Sequence, residues 1–369
     1  MRVELVTQRS EIPLDAQGWN ALVAANETNT IFQTYEWFDS WWRSFGARRR
    51  LHLLVVREAD AVVGFAAFVT RRTRFGLRQL EFVGTGSADY QDFVLPVDKP
   101  RALRAICAFL VSERRAWQRL ELTNIPGSST TLDLFTKFAQ ECGLFLVCEA
   151  RVSCPTLLLR DDRERARRIL GKYSMRRPLN WFSKRGEVKF RHVRSLDEIR
   201  GHLPAFFDQH RRRWQRAGGA SLFDGAAQRN FYAALAESLH STGWLQFSIV
   251  EFNGAPLAFH FGFDYAGCVT WYKPTFEVKY AEHSPGIVLL HALIDDAMRR
   301  ERNELDFTIG EESFKERFAT RQRHNVDLGV YHRRFIHLAA TGLYDVRAAA
   351  GRLVRSLRRS LRGRTGAQT

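Results

Sequence analysis

A chain of 369 residues with 45% hydrophobic and 12% aromatic side chains can bury one large core or two smaller ones, which excludes a disordered protein. Lys and Arg number 56 against 40 Asp and Glu, a formal charge of +16 that favours anionic partners. The five cysteines (107, 142, 148, 154 and 268) are scattered and form no CxxC, which argues against a zinc site and for a reducing compartment.

MRVELVTQRSEIPLD lacks the apolar core of a signal peptide, and the longest uncharged apolar run, Ala61 to Val69, is too short to cross a bilayer. A cytoplasmic chain is expected, with peripheral contact at the inner membrane left open. MRVELV reads as a strand, followed by a turn near Pro13 and a helix around Gly18 to Asn26. Phe32 to Phe45 (FQTYEWFDSWWRSF) carries aromatics at helical spacing, the pattern of core packing. Leu51 to Val69 reads as strand, a turn at Ala59-Asp60, and strand. The next stretch, GTGSADYQDFVLPVDKP, has no clean helix-opening turn and offers Asp89, Tyr90 and Asp92. A helix over Ala102 to Arg115, a strand at Leu120 to Thr123, the loop NIPGSST, a helix to Cys142 and a strand LFLVCEA follow, and Ser153 to Leu159 leaves this half as a strand.

Arg160 to Arg194 is strongly basic. It reads as a solvated helix face or, given the interleaved Tyr173, Trp181 and Phe182, as a patch for an anionic ligand. His202 to Arg216 begins the second half, in which Asn253-Gly254 marks a hairpin and Cys268 to Tyr272 a further strand. Ser284-Pro285-Gly286 opens a helix with Ile287, Leu290, Leu293, Ile294 and Ala297 on one stripe, Ser284 as its natural N-cap and Pro285 in its first turn. Free amides at such a start can hold a pyrophosphate; a well-capped helix start explains the same residues. No GxGxxG and no GxxxxGK[ST] is present. A strand at Glu304 to Thr308 and Gly310 close this stretch.

The chain repeats. Residues 37 to 69, shifted by 194, fall without gaps on 231 to 263, so that Trp37-Phe38 meets Phe231-Tyr232 and Leu51 to Val56 meets Leu245 to Val250. A shift of 185 places Ala102 to Arg115 on Ile287 to Arg300 and Leu120 to Thr123 on Leu305 to Thr308. Helix, hairpin, helix and strand recur in one order, which predicts a structural duplication. The tail past Gly329 places Leu343, Val346, Ala350, Leu353, Leu357 and Leu361 on one stripe amid Arg347, Arg352, Arg355, Arg358, Arg359 and Arg362. Such a basic amphipathic helix fits an anionic membrane surface, and equally a weakly packed terminal helix.

The order of elements in the second half resembles the acyl-CoA-binding part of a GNAT-type N-acyltransferase. More narrowly, His283-Ser284-Pro285-Gly286 followed by Leu305-Asp306-Phe307-Thr308-Ile309-Gly310-Glu311-Glu312-Ser313-Phe314-Lys315 resembles the CelD-like (BcsL-type) acyltransferases, relatives of the FemAB group. The sequence departs by carrying His283 and Phe314 where that family usually has Tyr. The resemblance covers roughly residues 30 to 335 and implies a mixed α/β fold of two tandem GNAT-like halves. Its parts would be 1–155, an acyl-CoA-binding 156–335, and a basic tail 336–369. It implies acyl-CoA as co-substrate, held at His283, Ser284, Pro285, Gly286 and Ile287, with the first half shaping the acceptor cleft.

N-acyl transfer needs a bound thioester, an amine that loses its proton, and a stabilised oxyanion. GNAT-type enzymes usually meet the last need with a backbone amide of a splayed central strand, and the resemblance puts that strand near Cys268 to Tyr272. His260, Asp306, Glu311 and Glu312 are candidates for the base or for orienting the amine, and Lys315 for neutralising the oxyanion. A hydrogen-bonded core histidine, helix capping by the glutamates and a surface lysine are the plain structural alternatives. Tyr272, Lys273, Asp89 and Asp92 are candidates for the acceptor pocket, with turn chemistry accounting equally for the two aspartates. No nucleophile paired with a histidine is evident, so direct attack by the amine is expected, without a metal. The function expected is acyl-CoA-dependent N-acylation of a cell-envelope precursor, an amino sugar of an exopolysaccharide or a lipid or sphingoid amine. The alternatives are FemAB-like transfer from aminoacyl-tRNA and an inactive scaffold in polysaccharide synthesis. A pure nucleic-acid binder is disfavoured, because the arginine runs belong to no recognised reading module.

Overall fold

A computed structural model describes residues 1–73, 76–310 and 312–333. The basic tail at 336–369 and Glu311, a candidate catalytic residue, lie outside the described residues. The first half runs β1 (Arg2–Val6), α1 (Ala16–Ala25), α2 (Tyr35–Phe45), β2 (Arg50–Glu58), β3 (Ala61–Arg72), β4 (Arg78–Phe82), α3 (Lys99–Ser112), β5 (Arg119–Pro126), α4 (Thr131–Glu141) and β6 (Phe145–Leu158). Two basic helices, α5 (Arg163–Gly171) and α6 (Tyr173–Ser183), lead to the second. That half runs β7 (Val188–His192), α7 (Leu196–Arg216), α8 (Ala226–Thr242), β8 (Leu245–Phe252), β9 (Ala255–Tyr265), β10 (Cys268–Phe276), α9 (Pro285–Arg299), β11 (Glu304–Asp306), α10 (Ser313–Phe318) and β12 (Arg321–Tyr331). Local chemistry sets several starts: the side chains of Asp15, Thr34 and Ser195 accept from the first-turn amides of α1, α2 and α7.

Among the described residues all strands join one 12-stranded sheet in the order β1-β2-β3-β4-β5-β12-β6-β11-β10-β9-β8-β7. Replace each strand by its counterpart in the other half and the order reads the same from the opposite edge. Only β4–β5 and β10–β11 pair in parallel. The duplication holds in detail: the register irregularity at Val56–Arg57 recurs at Val250–Glu251, and left-handed Ala59 (φ 49°) recurs as Asn253 (φ 50°), each 194 residues on.

The halves are interlocked. β12, from the end of the second half, sits between β5 and β6 of the first, and β6 in turn sits between β12 and β11. The boundary expected at 155/156 therefore falls inside a strand that both halves share. On one sheet face α1, α2, α7 and α8 bury Trp19, Trp37, Trp41, Phe206 and Phe231 in a single core spanning both halves. At its centre Trp37 packs edge-on against Phe231, its own repeat counterpart, with ring centroids 5.3 Å apart. On the other face α3 and α4 cover the first half and α6 and α9 the second, as two separate cores. Each fully buried aromatic of this kind contributes about 1.5–3 kcal/mol by area.

Candidate active site

The parallel pairing of β10 and β11 ends at Thr270–Asp306, beyond which the two strands diverge. On its other side β10 bulges: Thr270 faces Phe263, yet Lys273 already faces Phe261, so Trp271 and Tyr272 oppose only Gly262. A Cβ on Gly262 would run into both the His260 ring and the Thr270 carbonyl, so only glycine lets the bulge close this tightly. Sequence reading passed over Gly262, although a lone glycine inside a strand pattern is a bulge signal.

A cavity of about 270 Å³ occupies the splay. Trp271, Tyr272 and Lys273 of β10, Thr308 and Ile309 after β11, and Phe314 and Lys315 of α10 line it from the second half. Gly86, Ser87 and Asp89 reach into it from the first. Hydrogen bonds hold this loop in place. The Tyr272 hydroxyl donates to the Ser87 carbonyl and accepts from Tyr232. Asn325 donates to the Asp89 carbonyl at 2.7 Å, and the Tyr90 hydroxyl donates to Asp306 Oδ1 at 3.0 Å.

Four candidates from the sequence thus meet at one cavity: Asp89, Tyr272, Lys273 and Lys315. Burial raises the Asp89 carboxyl above its ordinary value, opposed by Lys273, the Thr308 hydroxyl and Lys315. Burial lowers the Lys273 ammonium, which sits 3.7 Å above the Tyr272 ring. Lys315 is buried and donates to the Ile309 carbonyl at 2.7 Å and to Glu312 at 2.8 Å. Asp306 stands at the point of divergence, where it lines a neighbouring cavity beside Tyr90 and not this one. Burial pushes its carboxyl up to about 6, although the Thr308 amide (2.8 Å) and the Tyr90 hydroxyl both favour the charged form.

Other candidates sit elsewhere. His260 is wholly buried against Trp271 and does not line the cavity; burial drives it down to about 3, so it stays neutral and out of reach. Asp92 also lies off the cavity. Its carboxylate accepts from Thr28, Ser129 and the Phe93 amide at 2.6–2.7 Å, so it anchors the loop and does not hold substrate.

Ser284 precedes α9 but in left-handed geometry (φ 55°, ψ 54°), and its hydroxyl caps nothing, contrary to the expected N-cap. The first half does possess a matching start. Asp98, also left-handed (φ 40°), precedes α3, and its carboxylate accepts from the Arg101 amide. One helix start is therefore filled by its own side chain, and the other is not. His283 stacks on Trp181 at 3.5 Å, and Gly286 abuts Phe276. The Arg213 guanidinium lies over Phe276 at 4.8 Å and reaches the cavity, linking it to the α9 start. Sequence reading missed Arg213, which stood inside the run HRRRWQR.

The first half's own counterpart is nearly shut. Among Trp19, Phe38, Phe65 and Phe82 only about 30 Å³ remains. A third cavity, about 560 Å³, lies over Cys268, Thr270, Glu304 and Asp306, on the far side of Tyr90. Cys268, Glu304 and Asp306 bring possible metal-ligand atoms within 4.8 Å of one another. Both carboxylates are already engaged, Glu304 by two parallel hydrogen bonds donated by Arg323 and Asp306 as above, so the set does not require an ion.

Residues 171–316 match the family described as acetyltransferase (GNAT) domain. No curated protein matches the sequence. Among solved structures, FemX superposes with a TM-score of 0.64 at 9% identity, covering 89% of this chain and 97% of its own. A tandem GNAT protein from the clavulanic acid biosynthesis pathway gives 0.51 at 13% identity, covering 90% and 99%. L-PGS from Bacillus licheniformis gives 0.50 at 12% identity, covering 81% and 88%. No described helix is long and apolar enough to cross a membrane. The chain has a tandem GNAT-like α/β fold, and residues 171–316 of it match the acetyltransferase (GNAT) domain.

Proposed function

We propose that this protein transfers an acyl group from acyl-CoA to an amine of a cell-envelope precursor. The observation that carries the reading is the cavity at the β10–β11 splay, open in the second half and closed in the first, with Lys315, Asp89 and Lys273 around it. In this reading the thioester lies between the diverging strands, its diphosphate against the uncapped start of α9 at Ser284, Pro285, Gly286 and Ile287. The amine attacks the carbonyl carbon, the carbon–sulfur bond breaks, an amide forms, and CoA leaves as the thiol. Backbone amides of the bulge at Trp271 and Tyr272, together with Lys315, stabilise the oxyanion. Asp306, ionised above about pH 6, takes the amine's proton. Asp89 and Lys273 line the thioester cavity beside the reacting carbonyl. The CelD-like motifs support an amino sugar or a lipid amine as the acceptor.

A second reading is transfer from aminoacyl-tRNA. The FemX superposition favours it, as does the exposed arginine face of α5 and α6, whose inner side packs on α9. Thermal unfolding with CoA, acetyl-CoA, a long-chain acyl-CoA and no ligand separates the two. A ligand at a hundred times its dissociation constant adds about 2.7 kcal/mol to the native state. A raised midpoint with one thioester supports CoA-dependent transfer and reports chain length. No response from folded protein moves the reading to the tRNA-dependent donor, or to a scaffold if Asp306 and Lys315 replacements also leave the biological role intact.

A further inference from the structure

The 560 Å³ cavity beyond Tyr90 lies apart from the thioester cavity but shares Asp306 with the reaction described above, and its lining points to a ligand. Its floor is the outer face of the central strands. Asp306 uses Oδ1 for both the Tyr90 hydroxyl and the Thr308 amide, which leaves Oδ2 for a donor from the cavity. The sides carry the hydroxyls and amides of Thr28, Asn29, Thr30, Ser128 and Gln322; the Thr30 hydroxyl is buried and finds no partner among the described residues. Arg321 and His324 of β12 stand at the exposed rim, and Arg321 makes no ion pair among the described residues. Arg321 and Asp306 both face Thr156 across β6, so they share one sheet face two strand spacings apart, about 10 Å. The Thr156 hydroxyl between them is buried and unpartnered.

We infer that this cavity binds a phosphorylated amino sugar. The ammonium or amine meets Asp306 on the floor, the ring hydroxyls meet the hydroxyl and amide side chains, and the phosphate meets Arg321 and His324 at the rim. The volume lies within the range of small-ligand sites. Tyr90 and Tyr265 offer aromatic faces to the ring's C–H edges. The lining mixes apolar side chains such as Ile31, Phe32 and Tyr265 with polar and charged ones, which suits a sugar ring better than a long lipid chain. This deepens the acyl-transfer reading by naming its acceptor, and it rests on that reading only for the fate of the amine. The binding stands alone.

Calorimetric titration of the full chain without any acyl donor tests it, with glucosamine 6-phosphate, glucosamine, glucose 6-phosphate and N-acetylglucosamine 6-phosphate as probes. Glucosamine 6-phosphate is expected to bind best. Removing or acetylating its amine should weaken binding about tenfold or more, because Asp306 loses a charge-assisted bond. Arg321→Ala, at an exposed position that leaves the core intact, should weaken the phosphate ester about tenfold and leave glucosamine within about twofold. His324→Ala gives the same pattern more weakly. No heat with either amino sugar, or an equal loss for glucosamine and its phosphate in Arg321→Ala, overturns the proposal. If an acyl-CoA raises the unfolding midpoint and no sugar binds, this inference fails and acyl transfer stands. If glucosamine 6-phosphate binds and no thioester does, the cavity assignment stands and CoA-dependent transfer fails.

Discussion

Replacing Asp306 by Asn should make the protein more stable and less active at once. The carboxyl is 5% exposed and titrates near 6 against an ordinary 3.8, so the folded chain holds a proton there that the unfolded chain has released. Below about pH 4 both states are protonated and the site costs nothing. Between there and about pH 6 the unfolded state ionises first, and above pH 6 the native state carries a buried charge at a standing cost of about 3 kcal/mol. Asn keeps the Oδ1 acceptor for Tyr90 and Thr308 and removes the charge. Urea unfolding of both proteins at about pH 4, 6 and 8 should show no difference at the lowest pH and a variant advantage of up to about 3 kcal/mol at the highest. The denaturant slope should be unchanged. Acyl transfer should fall by about 10² to 10⁴, the usual worth of a positioned base, and the wild-type rate should drop as pH falls through 6. A variant less stable at pH 8, or a stability difference that ignores pH, would refute the buried-charge argument. Full turnover in the variant would remove Asp306 from the chemistry.

Lys315→Ala should lower kcat by about 10² to 10³ with KM for the thioester nearly unchanged, because the ammonium acts on charge that develops in the transition state; it also takes the donor from the Ile309 carbonyl and should cost about 1–3 kcal/mol in chemical denaturation. Tyr272→Phe leaves the Ser87 carbonyl and the Tyr232 hydroxyl short of a partner and should cost about 1–3 kcal/mol in chemical denaturation. Gly262→Ala forces a methyl against the Thr270 carbonyl, and should cost about 1–3 kcal/mol and reduce transfer by reshaping the bulge; unchanged stability would show that the bulge can relax.

Periodicity and turn chemistry made the elements legible, and the ungapped shift of 194 made the duplication legible down to Ala59 and Asn253. Strand exchange was not legible. β12 was not read as a strand at all, and nothing local says which half's sheet a terminal strand will join. The same limit governed the site. Asp89 and Asp92 stand three positions apart in one loop, yet one lines the cavity and the other is consumed by Thr28 and Ser129, partners 64 and 37 residues away. His260 carried the right chemistry for a base, but its burial behind Trp271 follows from which way a strand faces in the finished sheet. Ser284 read as a cap because Ser usually is one; its left-handed backbone takes the hydroxyl away from the helix amides.

The interlock also explains why the site needs the whole chain. The segment matching the GNAT family, 171–316, contains β10, β11 and α9 but lacks β6, β12 and the loop that bears Ser87, Asp89 and Tyr90. Alone it would expose an edge of β11, leave the Tyr272 hydroxyl without the Ser87 carbonyl, and open Asp306 to water without Tyr90. Residues 171–316 expressed alone should therefore be insoluble or unfolded by circular dichroism. Fragments 1–162 and 163–369, divided after β6, should be unstable apart and co-purify as a folded pair when expressed together, because each supplies a strand to the other's side of the sheet. A soluble, folded 163–369 that transfers acyl groups by itself would show that the first half is dispensable, and with it the roles given to Asp89 and Tyr90.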